Sequence, residues 1–203
     1  MTESKPLPTP SPDADGANDA PPMTIRMVLI FYGITLAVAA GWAFFTQPGL
    51  ALLTTAPNGE RAVPWWLASA AVASALIGGT AVAERVWPAM RRLGGELAVA
   101  VAPVTPTRIV VFAVASGVAE EALFRGPMQY AFGYVVTSVI FGLLHGGPTR
   151  RYYAWSTFAL AAGLSFGLLA AAYSSIWPAV LAHVVVNGIN LGRLGRHPGP
   201  SPA

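Results

Sequence analysis

Residues 23–45, MTIRMVLIFYGITLAVAAGWAFF, form an apolar run with a single charge in it. About 20 such residues suffice for one helix to cross the hydrocarbon core of a bilayer. Runs of this kind recur at 64–86, from near Thr107, up to FGLLHGG at 141–147, at 153–173 and at 176–191. The repetition predicts an all-α fold, a polytopic membrane bundle of about six transmembrane helices. Composition agrees: 10% of the 203 residues are charged and 54% hydrophobic, whereas soluble domains carry roughly 25% charged residues.

The rest of the chain is organised around these runs. Residues 1–22, rich in Pro, Ser, Asp and Ala without apolar periodicity, read as a disordered cytoplasmic tail. Ala37-Val38-Ala39 imitates a signal-peptidase site, but the run continues past it and an uncleaved anchor is expected. Residues 23–106 hold the N-terminal transmembrane helices and a connecting segment, 87–106. That segment contains WPAMRRLGGE, Pro103 and Pro106, and reads as an interfacial, partly amphipathic helix. Residues 107–192 form the core that carries the chemistry, and 193–203 a short tail. Of the twelve basic residues, ten fall on one side of a six-span topology: Lys5, Arg26, Arg85, Arg91, Arg92, Arg108, Arg150, Arg151, Arg193 and Arg196. Arg61 alone lies in a loop on the other side, and Arg125 belongs to a span. By the positive-inside rule both termini are cytoplasmic, in a multi-pass protein of the cell (inner) membrane. The net charge of +3 follows from this topology, and no nucleic-acid partner is expected. With no cysteine, disulfides, thiolate metal sites and a cysteine nucleophile are excluded.

Against this background the stretch SGVAEEALFRGP at 116–127 stands out. Of nine acidic residues, Glu120 and Glu121 fall deep within a span, where a charge costs about 3 kcal/mol on insertion scales and marks a functional site by default. Glu121 and Arg125, at i and i+4, have the spacing of a structural ion pair. Glu120 points about 100° away on the helix and has no such account. The histidines add to this. His197 lies in the tail, while His145 ends the fourth run and His183 sits inside the sixth, followed by Asn187 on the same helical face. If the third and fourth spans turn near Gly133, Glu120 and His145 lie about 18–20 Å from that turn. A turn at Ser174-Ser175 brings Asn187 to similar depth, with His183 one turn shallower.

Three motifs therefore occur in order: E-E-x-x-x-R at Glu120, Glu121 and Arg125, F-x-x-x-H at Phe141 and His145, and H-x-x-x-N at His183 and Asn187. Together they resemble the signature of the CPBP family (CAAX proteases and bacteriocin-processing enzymes, also called Abi), which are intramembrane glutamic endopeptidases. The resemblance covers about residues 107–191. It implies that Glu120 is the general base, holding with His145 the water that attacks the scissile carbonyl. It implies that His183 and Asn187 donate to the oxyanion, that Glu121 and Arg125 orient the site, and that Phe141 packs beside His145. No cofactor is implied. The expected partners are the lipid bilayer and a membrane-associated protein or peptide: a CAAX-like substrate, a peptide precursor or a protein with a C-terminal sorting tail.

Two other readings of the same residues exist. A Glu/His cluster is also a divalent-metal site, although no HExxH occurs. Intramembrane carboxylates also serve proton-coupled transporters, or the chain is a membrane scaffold; no internal repeat supports transport. Two further patterns read as structural. Gly126-Pro127 is expected to kink the third span, and Ala159, Gly163, Gly167 and Ala171 form a small-residue packing stripe.

Overall fold

In a computed structural model, residues 22–57, 62–147 and 152–195 are described. They form helices α1 (Ile25–Phe45), α2 (Gln47–Thr54), α3 (Trp65–Val86), α4 (Pro88–Ala100) and α5 (Pro106–Leu123), a π turn (Phe124–Met128), then α6 (Gln129–Leu144), α7 (Tyr152–Tyr173) and α8 (Trp177–Leu194). No strand occurs among the described residues. Local chemistry starts α1 and α5. The hydroxyls of Thr24 and Thr105 accept from the amides of Met27 and Arg108 and so cap α1 and α5. Pro106 occupies the first turn of α5, where no amide bond is lost.

The bundle is apolar outside and buries several polar and charged groups within an otherwise apolar interior. Phe31, Ile34, Val38, Phe132, Val136, Leu143 and Leu168 are exposed, while Glu121, Arg125, Thr137, Ser138 and His183 are buried. A soluble protein rarely buries Glu or Arg or exposes so many large apolar side chains, whereas a helix in lipid turns its polar groups toward neighbouring helices. Trp66, Trp87 and Trp177 are exposed at helix ends, as interfacial anchors are. α1, α3 and α7 are long and apolar enough to cross a membrane by length and composition. α5 falls outside that set because Arg108, Glu120 and Glu121 lie in it, and α6 has only 16 residues. The basic residues Lys5, Arg61, Arg150, Arg151 and Arg196 of the topology argument, and His197, lie outside the described residues.

The backbone breaks at both anticipated turn positions. Gly133 takes a φ of 76° and breaks α6, a conformation open to glycine without steric penalty. Ser174 takes a φ of 50° between α7 and α8, and the Ser175 hydroxyl donates to the Thr55 carbonyl. The kink is at Gly126, whose ψ of −112° interrupts the π turn beside Pro127. The small α2, in residues the sequence did not distinguish from a loop, packs on that kink: a Cβ at Gly49 would stand 3.2 Å from Pro127 Cα. The interfacial segment is the helix α4, with Met90, Leu93 and Gly94 buried and Arg91 and Arg92 exposed.

The small-residue stripe of α7 faces α6. A Cβ at Gly163 would lie 3.2 Å from Ser138 Cβ, and one at Gly167 3.0 Å from Tyr134 Cβ. Ala159 is buried, but Ala171 is exposed, so the stripe ends at Gly167. The glycines also bare their own backbone. The Gly163 carbonyl accepts from Arg125 and the Gly167 carbonyl from Gln129.

Candidate active site

α5 and α8 run antiparallel in close contact. A Cβ at Gly117 would lie 2.6 Å from Val184 Cγ2, so the glycine of SGVAEE lets the two backbones approach. One turn further, Glu121 faces His183. Its Oε1 accepts from His183 Nδ1 at 2.7 Å and its Oε2 lies 3.1 Å from Arg125 Nε. Glu121 and Arg125 are 0% exposed, and removing such charges from water is tolerable only when they are paired. Arg125 also donates through Nη2 to the Gly163 carbonyl at 3.2 Å, and its guanidinium carbon lies 5.0 Å from the Phe141 ring centre, within cation–π range. The ion pair read from the i, i+4 spacing is thus part of a larger buried unit that also holds one histidine.

Glu120 differs. Its side chain is 12% exposed and faces a cavity. Its Oε1 accepts from the Tyr32 hydroxyl of α1 at 2.8 Å. Its Oε2 has no hydrogen-bond partner among the described residues; it faces His145 Nε2 at 3.8 Å and His183 Nε2 at 4.0 Å. The opposite edges of both rings are anchored. His145 Nδ1 lies 2.7 Å from the Phe141 carbonyl, which can only accept, so Nδ1 carries a proton there. The neutral ring therefore presents Nε2 as a lone pair. Phe141 packs against His145 at 4.3 Å between ring centres with the rings tilted by 39°, and Phe166 lies nearly parallel to His183 at 4.9 Å.

Glu120, His145 and His183 are thereby brought together. Asn187 lies one turn away along α8, where its Nδ2 donates to Ser116 Oγ at 2.9 Å. This reverses the order expected from helix length, which puts Asn187 level with Glu120 and His183 one turn off. That expectation holds for straight helices, and the π turn between Glu120 and Gly133 shifts the register. Asn187 still lines the same cavity.

That cavity, of about 290 Å³, runs between α1, α3, α4, α5, α7 and α8. Its wall is mostly apolar, with Val28, Leu97, Phe158 and Val186 among the lining residues, and Glu120, His145 and His183 open onto it. Among the described residues no group of three or more His, Asp or Glu side chains is disposed to hold a metal ion.

Sequence reasoning missed Tyr32, Ser116 and Phe166. Ser116 has a local signal, one turn before Glu120 on its helix. Tyr32 has none beyond being the tyrosine of an otherwise apolar run, 88 residues from its partner.

Residues 102–189 match the family model described as "Type II CAAX prenyl endopeptidase Rce1-like", in agreement with the resemblance to CAAX proteases that the three motifs carry. No curated protein and no solved structure matches the chain.

Proposed function

We propose that the protein is an intramembrane endopeptidase of glutamic type, which hydrolyses a peptide bond near the membrane surface. The observation that carries this reading is Glu120 Oε2, unbonded and facing two imidazole Nε2 atoms across 3.8 and 4.0 Å. Those gaps are too long for direct hydrogen bonds and suit a bridging water. Glu120 and the Nε2 lone pair of His145 share the proton of that water as its oxygen attacks the scissile carbonyl, and the proton passes on to the leaving amine. His183 and Asn187 donate to the oxyanion. For His183 this requires a ring protonated at both nitrogens, with Glu121 at Nδ1 as its counter-ion. Glu121, Arg125 and Phe141 hold the two histidines.

The family description names prenyl endopeptidases, and an apolar cavity beside the carboxylate fits a substrate with a lipid or strongly apolar segment. The substrate class is therefore a membrane-associated protein or peptide: CAAX-like, a peptide precursor, or a sorting tail. Six spans with both termini cytoplasmic, in the cell (inner) membrane, complete the reading. Reporters fused at residues 1 and 203 should report the same, cytoplasmic face; opposite faces would refute the six-span topology.

The function is tested in cells. Membrane proteins from cells lacking this chain should contain an uncleaved species that wild-type protein removes and Glu120→Gln does not. Removal by both would refute the assignment.

A further inference from the structure

The family match begins at residue 102, yet one hydrogen bond at the site comes from α1, far outside it. Among the described residues, the bond from Tyr32 to Glu120 Oε1, at 2.8 Å, is the only one its carboxylate accepts. A glutamate side chain has three rotatable bonds, and fixing it in a single pose has an entropic cost that one charge-assisted bond offsets. Glu121 is held from both sides; Glu120 is held by Tyr32 alone.

From this geometry we infer that Tyr32 is a positioning residue of the site: its hydroxyl occupies Oε1 and so directs Oε2 at His145 and His183. The inference rests on the glutamic-peptidase reading above. Its consequence is that the catalytic centre is not contained in the family segment and is completed by the first helix.

The setting of Tyr32 fits a fixed donor. The start of α1 is tied to the α4–α5 connection, since the Met23 amide donates to the Ala100 carbonyl at 2.8 Å and Arg108 donates to the Met23 carbonyl. Val28 packs with Val101 and Phe112 in a buried cluster that Ile25 and Tyr32 adjoin. Further along, Ala39 packs with Ala122, Ile176 and Val180. α1 is thus fixed both before and after Tyr32, and the phenol lines the cavity beside Ser116 and Glu120.

The test uses the full chain and the species that accumulates in its absence. Tyr32→Phe removes one oxygen and keeps the ring. It should lower kcat about 10- to 100-fold, the range set by a hydrogen bond to a charged group, while KM and the thermal midpoint stay at their wild-type values. In Tyr32→Ala, added phenol should restore part of the rate and toluene should not, which separates a donor from a space-filling ring. Infrared bands of the Glu120 side chain, identified as those lost in Glu120→Gln, should shift in Tyr32→Phe. A Tyr32→Phe protein that cleaves at the wild-type rate, equal rescue by phenol and toluene, or unmoved bands would each overturn the inference. Glu120→Gln separates the levels: if it is inactive while Tyr32→Phe is normal, only the role of Tyr32 falls. If Glu120→Gln itself cleaves normally, the reading of the site falls with it.

Discussion

Glu120 and Glu121 are neighbours in the chain and opposites in the fold. Glu121 looks into the bundle, where His183, Arg125 and, through Arg125, the Gly163 carbonyl close a network without exposure to the cavity. Glu120 looks into the cavity, bonded on one oxygen and open on the other. A turn of 100° about one helix axis separates them. Two carboxylates with the same covalent chemistry are thereby divided into one that holds the structure and one left available for reaction. Both Glu121 oxygens sit against a polar or charged side chain and away from the cavity, out of reach of a water there, and a buried charge without partners would not persist.

That contrast is most easily broken at Glu120. Glu120→Gln is nearly isosteric and its amide oxygen still accepts from Tyr32, so the fold should survive. The amide cannot take a proton, and cleavage should be abolished. His145→Ala should do nearly the same. A folded Glu120→Gln protein cleaving at near the wild-type rate would show that the two glutamates are not divided in this way.

The opposite result is expected one residue on. Arg125→Ala strands Glu121 in the interior, a change that typically destabilises by about 3–5 kcal/mol, and Glu121→Gln strands Arg125. Yield of folded protein and thermal midpoint should fall along with activity. If Arg125→Ala loses activity with an unchanged midpoint, the buried unit is catalytic and not structural.

Asn187 refines the picture. It is hydrogen-bonded to Ser116 in this structure, and as an oxyanion donor it would have to exchange that partner for substrate. Asn187→Ala should reduce cleavage about 10²- to 10³-fold and leave a residual rate. Ser116→Ala, which frees the amide, should cost far less. Equal losses in the two variants would mean that the Asn187–Ser116 bond matters as packing.

The smallest expected effect is none. Strong chelation of the detergent-solubilised protein should leave cleavage unchanged, because in the proposed mechanism the carboxylate and imidazole supply the base themselves. Loss of activity restored by zinc would make Glu120, His145 and His183 candidate ligands and replace the contrast between the two glutamates by a metal site.

Much of this was legible in the chain itself. The apolar runs marked the long helices, Gly133 and Ser174-Ser175 marked the turns, and the i, i+4 spacing marked the Glu121–Arg125 pair. Each of these depends on residues within a few positions of one another. The helix α2 was not legible, since eight residues carry too little periodicity to declare themselves. Nor was the level of His183 against Glu121, because a π turn displaces one helix relative to another without changing any motif.

The sequence by itself determined which residues are available for chemistry and that they lie in or at the ends of apolar helices, because hydropathy and helical periodicity are local properties of the chain. Only the tertiary structure decided that His183 bonds Glu121 and faces Glu120, that Asn187 turns to Ser116, and that a tyrosine from the first helix holds the Glu120 carboxylate. Those pairings depend on helix offsets of about one turn and on rotations of well under 100°. Such quantities are set by close contacts like that of Gly117 with Val184, between residues far apart in the chain.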